Sequence, residues 1–249
     1  MADRSPRLRL TGLSLAGLLV CAAVAWVAEA APPKPKSQSN RRIHPALRPV
    51  KDEPGLPRVL LIGDSISMGY TPPVRERLKG KANVHHPPTN CGPTTRGLEH
   101  LDAWLGQTPW DVIHFNFGLH DLKYMDEKGR LTAVNAGTQQ VPIEAYRKNL
   151  ERIVQRLKQT GAVLIWATTT PVPEGSSGRV VGDAARYNAV AAEVMKAHGI
   201  AVNDLYGFAK PRLEEIQRPK NVHFTPDGSK ALAEQVAEHV LAALKARSK

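Results

Sequence analysis

From residue 58 onward, short runs of consecutive apolar residues alternate with longer stretches in which apolar positions recur every three or four residues. The first run, 59–62, consists of four aliphatic residues and ends at Gly63. A continuous apolar run of this length that ends at a glycine is typical of a parallel strand buried on both faces. Four later segments show the same character, the first of them, 83–86, only weakly. The predicted strands are 59–62, 83–86, 111–117, 163–167 and 200–202.

The stretches between these strands predict helices. After Pro142, apolar residues fall on one face of a helix that Gly161 ends. A second helix is predicted after Asp183, a suitable N-cap, and a third from Thr225-Pro226, where a capping threonine precedes a first-turn proline. This alternation predicts an α/β fold, specifically a flavodoxin-like three-layer α/β/α sandwich around a five-stranded parallel sheet. Such folds bind ligands beyond the carboxyl ends of their strands.

Polar residues with useful chemistry fall at those strand ends. Ser65 follows the first strand, Gly92 lies in the turn after the second, His120 follows the third, and His223 stands just before the last helix. A hydroxyl nucleophile, a histidine that takes its proton and N–H groups that stabilise an oxyanion are the parts of an acyl-transfer site. We therefore expect these residues to meet at one rim of the sheet.

Three motifs in this order resemble the blocks of the SGNH (GDSL) hydrolase superfamily, and the resemblance covers residues 58–249. The motifs are Gly63-Asp64-Ser65-Ile66, Gly92-Pro93-Thr94-Thr95 and His223 before a C-terminal helix. The resemblance implies that Ser65 is the nucleophile and His223 the base. It also implies an oxyanion hole formed by Ser65, Gly92 and His120, without a metal or a cofactor.

One departure from the family's pattern concerns the oxyanion hole. The third block of the family reads Gly-x-Asn-Asp, whereas this chain has Gly118-Leu119-His120-Asp121. A histidine also donates one N–H, so we expect His120 to replace the asparagine and Asp121 to fix its ring; the alternatives for His120 are a substrate contact or a structural role. Asp64 is predicted mainly as a turn-forming residue, with a supporting role in the site as the alternative.

A second departure concerns the acid of the triad. The family's acid normally precedes the base by three residues, and Lys220 occupies that position here. Lysine has no acceptor for an imidazole N–H. His223 must then be oriented by a backbone carbonyl, by another acid or by nothing, and we predict a Ser–His dyad.

The first 57 residues have the character of a targeting segment and a linker. Three arginines within the first nine residues precede an uncharged run over 10–28 and a small-x-small end, which predicts a secretory signal peptide over 1–30. An uncleaved membrane anchor over 10–28 is the alternative, because a helix of 19 residues extends about 28 Å. Residues 31–57 hold seven of the chain's 20 prolines and are predicted to form an extended basic linker. The exported domain is expected over 58–249.

The overall charge changes this picture little. The formal net charge is +11 and the isoelectric point about 9.8, which raises the question of a nucleic-acid partner. Residues 1–57 hold 9 Lys/Arg and 4 Asp/Glu, leaving 25 and 19 for residues 58–249, a mild excess. Aromatic residues amount to only 5% of the chain, which disfavours a platform for stacking bases. Nucleic acid is therefore not an expected partner.

These observations favour an exported serine esterase that removes acetyl or other short acyl groups from a small-molecule or polysaccharide ester. The carbohydrate substrate rests on the resemblance and on export. One alternative is a non-catalytic carbohydrate-binding module on a decayed hydrolase scaffold, for which Lys220 argues. Another is a metal-dependent phosphoesterase, which needs an Asp-x-His pair where this chain has Asp64-Ser65-Ile66. No prediction of the oligomeric state follows.

Overall fold

The computed structural model describes residues 43–247. The strands are β1 (Arg58–Ile62), β2 (Asn83–His85), β3 (Val112–Phe115), β4 (Tyr124–Met125), β5 (Thr138–Gln139), β6 (Val163–Ala167) and β7 (Ala201–Asn203). Five of them form one sheet in the order β2-β1-β3-β6-β7, and all four pairings in it are parallel. β4 and β5 form a separate antiparallel pair. The predicted five-stranded parallel sheet is confirmed.

Helices cover both faces of this sheet. The α-helices are α1 (Ser65–Arg77), α2 (Thr94–Leu105), α3 (Ile143–Lys158), α4 (Asp183–His198), α5 (Leu205–Ala209), α6 (Leu213–Ile216) and α7 (Pro226–Arg247). α1 packs against α7 on one face, while α2, α3 and α4 pack side by side on the other. The chain therefore has the predicted three-layer α/β/α architecture.

Burial of the aliphatic runs explains why these strands form the centre of the molecule. Leu60, Leu61 and Ile62 of β1 are at most 1% exposed, and Phe115 of β3 is fully buried. Complete burial of each such side chain contributes about 1.5–3 kcal/mol. The winding of the sheet reverses between β1 and β3, which lie side by side. Loops that leave the carboxyl ends of these two strands therefore border the crevice where such sheets bind ligands.

The segment 43–57, assigned from sequence to the linker, packs against the folded domain. Ala46 is fully buried, and the guanidinium of Arg75 in α1 donates to the carbonyl oxygens of Pro45 at 2.8 Å and Ala46 at 3.0 Å. The backbone N–H of Glu53 donates to the side chain of Asn83 at 2.8 Å. A proline-rich segment makes few hydrogen bonds of its own, so its carbonyls are free for partners such as Arg75. The domain therefore begins before residue 58.

The predicted targeting segment lies outside the described residues, as do the anchor considered over 10–28 and the part of the linker before residue 43. Between residues 43 and 247, no helix has the length and apolar character needed to cross a bilayer.

Candidate active site

Ser65 lies at the first position of α1, directly after the turn that follows β1. Asp64 caps this helix, because its side chain accepts the backbone N–H of Ile66 at 2.9 Å. Gly63 is required by close packing: a Cβ at this position would lie 2.6 Å from Cβ of Ser67. The observed contact of Asp64 agrees with the turn-forming role expected for it, and the turn places the Ser65 hydroxyl beyond the carboxyl end of β1.

His223 reaches the same place from the loop before α7. Its Nε2 lies 2.9 Å from Oγ of Ser65, although the two residues are 158 positions apart in the sequence. Burial lowers the pKa of His223, an effect opposed by the charge of Asp64 and reinforced by Arg218 and Arg179. The imidazole is therefore neutral at neutral pH, as a proton acceptor must be.

The other ring nitrogen of His223 contacts Asn221. Nδ1 lies 2.7 Å from Oδ1 of Asn221, and the backbone N–H of His223 donates to the same oxygen at 2.9 Å. The backbone contact identifies this atom as the amide oxygen, which only accepts hydrogen bonds. Nδ1 of His223 must then carry the hydrogen, so Nε2 is the unprotonated nitrogen that faces Ser65. Asn221 performs the orienting task for which the sequence offered a backbone carbonyl, another acid or no group.

A tight turn explains why Asn221, and not Lys220, meets the imidazole. The N–H of Asn221 donates to the carbonyl of Arg218 at 3.2 Å, with Pro219 and Lys220 at the two central positions. Lys220 has a φ of 53° and is the one non-glycine residue of 43–247 with a positive φ. A positive φ at the third position is typical of a type II turn after proline. This turn brings the next side chain, that of Asn221, onto His223.

The backbone N–H groups near Ser65 differ in their availability. Within residues 43–247, the N–H of Ser65 donates to no protein acceptor, as expected at the first turn of a helix. The N–H of Gly92, in contrast, donates to the side chain of Asn90 at 2.9 Å. The predicted oxyanion donor Gly92 is therefore engaged and would have to exchange this partner for a substrate oxygen.

His120 is arranged to donate a hydrogen from one nitrogen. Its Nδ1 lies 3.3 Å from Nζ of Lys123, and because an ammonium only donates, Nδ1 is the acceptor. Burial lowers the pKa of His120, so the ring is neutral and Nε2 carries its single hydrogen. The ring thus carries one N–H, which the predicted role of His120 as a donor requires.

Asp121 does not fix the ring of His120, contrary to expectation. Its Oδ1 accepts the backbone N–H of Thr94 at 2.9 Å and also the Thr94 hydroxyl, while Oδ2 has no hydrogen-bond partner. The side chain is fully buried, and this burial raises the pKa of Asp121 to about 7. Thr94 is the first residue of α2 and follows Gly92-Pro93, so Asp121 ties the segment 118–121 to the motif that contains Gly92.

Two cavities meet at His223. The first, of about 290 Å³, includes Ser65, Met68 and Arg218 in its lining. The second, of about 180 Å³, is bordered by Arg179 and by the turn that carries Asn221. Within residues 43–247, no group of three or more His, Cys, Asp and Glu side chains is placed to hold a metal ion.

Sequence reasoning missed the roles of Asn221, Lys123 and Arg179. The signal for Asn221 was present in Pro219-Lys220-Asn221, since a proline followed by a polar pair predicts a turn. Lys123 and Arg179 lie in loops whose approach to the site depends on the tertiary fold, and no local pattern indicates it.

Comparisons with known proteins agree with this fold. A model of the GDSL-like lipase/acylhydrolase family matches residues 61–231. An acetyl xylan esterase has a TM-score of 0.60 at 15% identity over 74% of this chain and 99% of its own. A lipase/acylhydrolase from Enterococcus faecalis has a TM-score of 0.62 at 20% identity, over 74% of this chain and 95% of its own. An acetylxylan esterase from Geobacillus stearothermophilus has a TM-score of 0.61 at 14% identity, over 74% of this chain and 94% of its own. At these identities the likeness shows a shared fold. Among curated sequences, none matches significantly.

Proposed function

This chain belongs to the GDSL-like lipase/acylhydrolase family of SGNH hydrolases and is a carboxylic ester hydrolase, and from that premise we propose that it is an exported serine esterase that removes acetyl or other short acyl groups from carbohydrate. The observation that carries the proposal is the 2.9 Å contact between Oγ of Ser65 and Nε2 of His223. This is the distance over which a base takes a proton from a nucleophile.

In the acylation step, Ser65 Oγ attacks the ester carbonyl carbon while Nε2 of His223 takes the hydroxyl proton. Asn221 holds the ring by accepting the Nδ1 hydrogen, so in the resting enzyme the nitrogen facing Ser65 is the unprotonated one. The tetrahedral intermediate collapses, the alcohol leaves with the proton from Nε2, and Ser65 retains the acyl group. Water then attacks this acyl ester with His223 again as base, which releases the acid and regenerates Ser65.

The negative charge on the carbonyl oxygen needs donors already in place. The unpaired backbone N–H of Ser65 is one, since it stands at the start of α1 beside the hydroxyl. The Nε2 hydrogen of neutral His120 is the second, in the position of the family's asparagine. Gly92 contributes a third donor if its N–H leaves Asn90 when substrate binds.

The substrate and the location rest on further observations. Three of the features expected of a secretory signal peptide stand at the chain's start: arginines, an apolar run and a small-x-small end. An uncleaved anchor over 10–28 would keep the enzyme on the outer side of a membrane. The two acetylxylan esterases that share its fold support an acetylated polysaccharide or its fragments as the substrate.

The test combines covalent labelling with product measurement. A fluorophosphonate probe should modify Ser65, and incubation with acetylated xylan should release acetate in the presence of a chelator. The Ser65→Ala variant should lose both signals. Absence of labelling and of acetate release in the folded wild type would instead favour a carbohydrate-binding module, while hydrolysis of p-nitrophenyl phosphate that a chelator abolishes would favour a metal-dependent phosphoesterase.

A further inference from the structure

We infer that the cavity of about 180 Å³ beside His223 is an anion subsite, and that the ester substrate carries a carboxylate, as an acidic saccharide does, close to the acyl group. This inference rests on the proposed esterase function and specifies its substrate class. The lining that carries the argument comprises Leu131, Ser176, Arg179, Lys220, Asn221 and His223.

The cavity is continuous with the catalytic machinery through the turn at 218–221. Asn221 contacts the imidazole of His223, and both residues also line this cavity. His223 lines the first cavity as well, together with Ser65, so a group bound in the second cavity lies beside the catalytic imidazole.

Arg179 is the central cation of the cavity. Two of its nitrogens are fixed by backbone carbonyls: Nε donates to Leu119 at 3.2 Å and Nη1 to Ser177 at 3.3 Å. Among residues 43–247 it forms no ion pair, whereas Arg130 and Arg186 pair with nearby aspartates. A partly buried guanidinium without a carboxylate partner is costly, and its remaining nitrogen, Nη2, is free to bind an oxyanion.

Lys220 supplies a second cation at the position where the family has its acid. Its stem runs past Gly175, and within the described chain its ammonium makes no ion pair. The positive φ of Lys220 costs about 1–2 kcal/mol for a side-chain-bearing residue. Lys220 thus brings a positive charge to the lining of the cavity.

Ser176 adds a polar group without a partner. It is 8% exposed, and its hydroxyl makes no hydrogen bond within the described residues. A buried hydroxyl without a partner is unfavourable, and a rotation of the Ser176 side chain toward the cavity that it lines would let it donate to a ligand oxygen. The guanidinium and the ammonium around one small space match a carboxylate.

The charges around the cavity are positive on balance. Lys123, beside His120, and Arg218, in the lining of the first cavity, add two more cations. Asp64 is the carboxylate whose charge acts on Arg179, but it is 3% exposed and used as a helix cap. Glu174 is exposed and forms no ion pair with Arg179 or Lys220 in the described residues. An anionic substrate would therefore be attracted to this side of the site.

The experiment compares two substrates that differ only in the carboxylate. Acetylated oligogalacturonate and the same preparation after reduction of its carboxyl groups to hydroxymethyl groups are each incubated with the full chain, and acetate release gives kcat/KM. Hydrolysis of p-nitrophenyl acetate reports the esterase function itself. We expect a preference of at least about 10-fold for the acidic substrate, since charge-assisted hydrogen bonds are among the stronger ones, and we expect it to shrink as salt is raised.

Variants then locate the preference in the cavity. Lys220→Gln and Arg179→Gln should each reduce the preference about 5- to 10-fold through a higher KM for the acidic substrate, and Arg179→Lys should retain part of it. The matched control is Lys158→Gln, which removes one exposed charge at the far end of α3 and should leave both substrates unaffected. Equal turnover of the two substrates, or a preference that survives in the Lys220 and Arg179 variants, would overturn the subsite while leaving the esterase proposal intact. If the wild type did not hydrolyse p-nitrophenyl acetate at all, that result would count against the esterase proposal.

Discussion

Ser65 and His223 meet at 2.9 Å, yet the chain positions them by different means. Ser65 is the first residue of a 13-residue helix that Asp64 caps, shortly after a strand buried on both faces. His223 lies in a loop without a regular element, where Gln217 donates to the carbonyls of Pro171 at 3.0 Å and Val222 at 2.9 Å. One isolated bridge joins Gln217 to Phe224.

Because Ser65 and His223 are held in different ways, the two halves of the site should respond differently to substitution. The nucleophile is positioned by backbone hydrogen bonds and core packing, which also hold the sheet together. The base is positioned by the few hydrogen bonds of a short loop, among them the backbone N–H of Arg218 to the carbonyl of His223 at 2.9 Å and the two from the side chain of Gln217, each worth about 0.5–1.5 kcal/mol. Substitutions in the loop of the base should therefore change turnover and pH dependence, whereas most substitutions around β1 and α1 should change folding first.

The largest effect is expected when either reacting group is removed. Ser65→Ala and His223→Ala should each lower kcat about 10⁴–10⁶-fold, and the double variant should be no worse, because the two groups act as a unit. Steady-state hydrolysis of p-nitrophenyl acetate measures this, with urea unfolding as the control for folding. If His223→Ala retained more than about a tenth of the activity, the proposed proton transfer would be wrong.

Asn221 offers the next largest effect. Asn221→Ala should lower kcat about 10²–10³-fold, since the ring loses the acceptor that fixes its tautomer and orientation; loss of a correctly placed acid in a complete triad has a larger effect, about 10⁴-fold. Urea unfolding should be nearly unchanged, because Asn221 is exposed.

The variant Asn221→Asp distinguishes orientation from mere space filling. A carboxylate beside Nδ1 stabilises the imidazolium, so it opposes the burial that lowers the pKa of His223 in the wild type. The acidic limb of the kcat/KM profile should move to higher pH than in the wild type, while activity at pH 8 persists. An unshifted limb would mean that Asn221 does not contact the ring during turnover.

The same contrast explains how much of the site the sequence predicts. The apolar run of β1, the cap Asp64 and Ser65 are contiguous, so a local pattern identifies them together. His223 was identified by its motif and its place before α7, because its partners are distant in the chain. The three-layer arrangement with a five-stranded parallel sheet follows from the alternation of strands and helices, and the structure confirms it.

What the sequence predicted poorly depends on turn conformation and on long-range contacts. Asn221 meets His223 only because Lys220 adopts a positive φ, a conformation in which glycine or asparagine is expected. Asp121 follows His120 directly, but its carboxylate bonds Thr94, 27 residues away. The packing of 43–57 depends on Arg75, which no pattern within the linker indicates.

Asp121 should make stability depend on pH in a predictable direction. Burial raises the pKa of Asp121 from 3.8 to about 7, so between these values the folded chain retains a proton that the unfolded chain releases. The stabilisation is complete below pH 3.8 and is lost as the pH rises through about 7. The variant Asp121→Asn keeps the acceptor for Thr94 but does not titrate. Its free energy of unfolding, relative to that of the wild type, should therefore rise by about 2–3 kcal/mol as the pH is raised from 5 to 7.

Urea unfolding at several pH values measures this difference. A constant offset between the two proteins from pH 5 to pH 7 would mean that Asp121 is ionised throughout in the folded state. The motif containing Gly92 would then be held by a charged side chain, and the contrast with the uncharged contacts around His223 would be sharper than proposed.

Gln217 should show the smallest of these effects, and it tests the loop of the base directly. Gln217 is 3% exposed, and Gln217→Leu keeps its bulk but leaves the carbonyls of Pro171 and Val222 without this donor. The free energy of unfolding should fall by about 1–2 kcal/mol, and kcat should fall about 10-fold because His223 is positioned less tightly. Gln155→Leu on the exposed face of α3 is the matched control and should change stability by less than about 0.5 kcal/mol. A loss of stability without any loss of kcat would show that α7 alone positions the base, and the two halves of the site would then be equally anchored in regular structure.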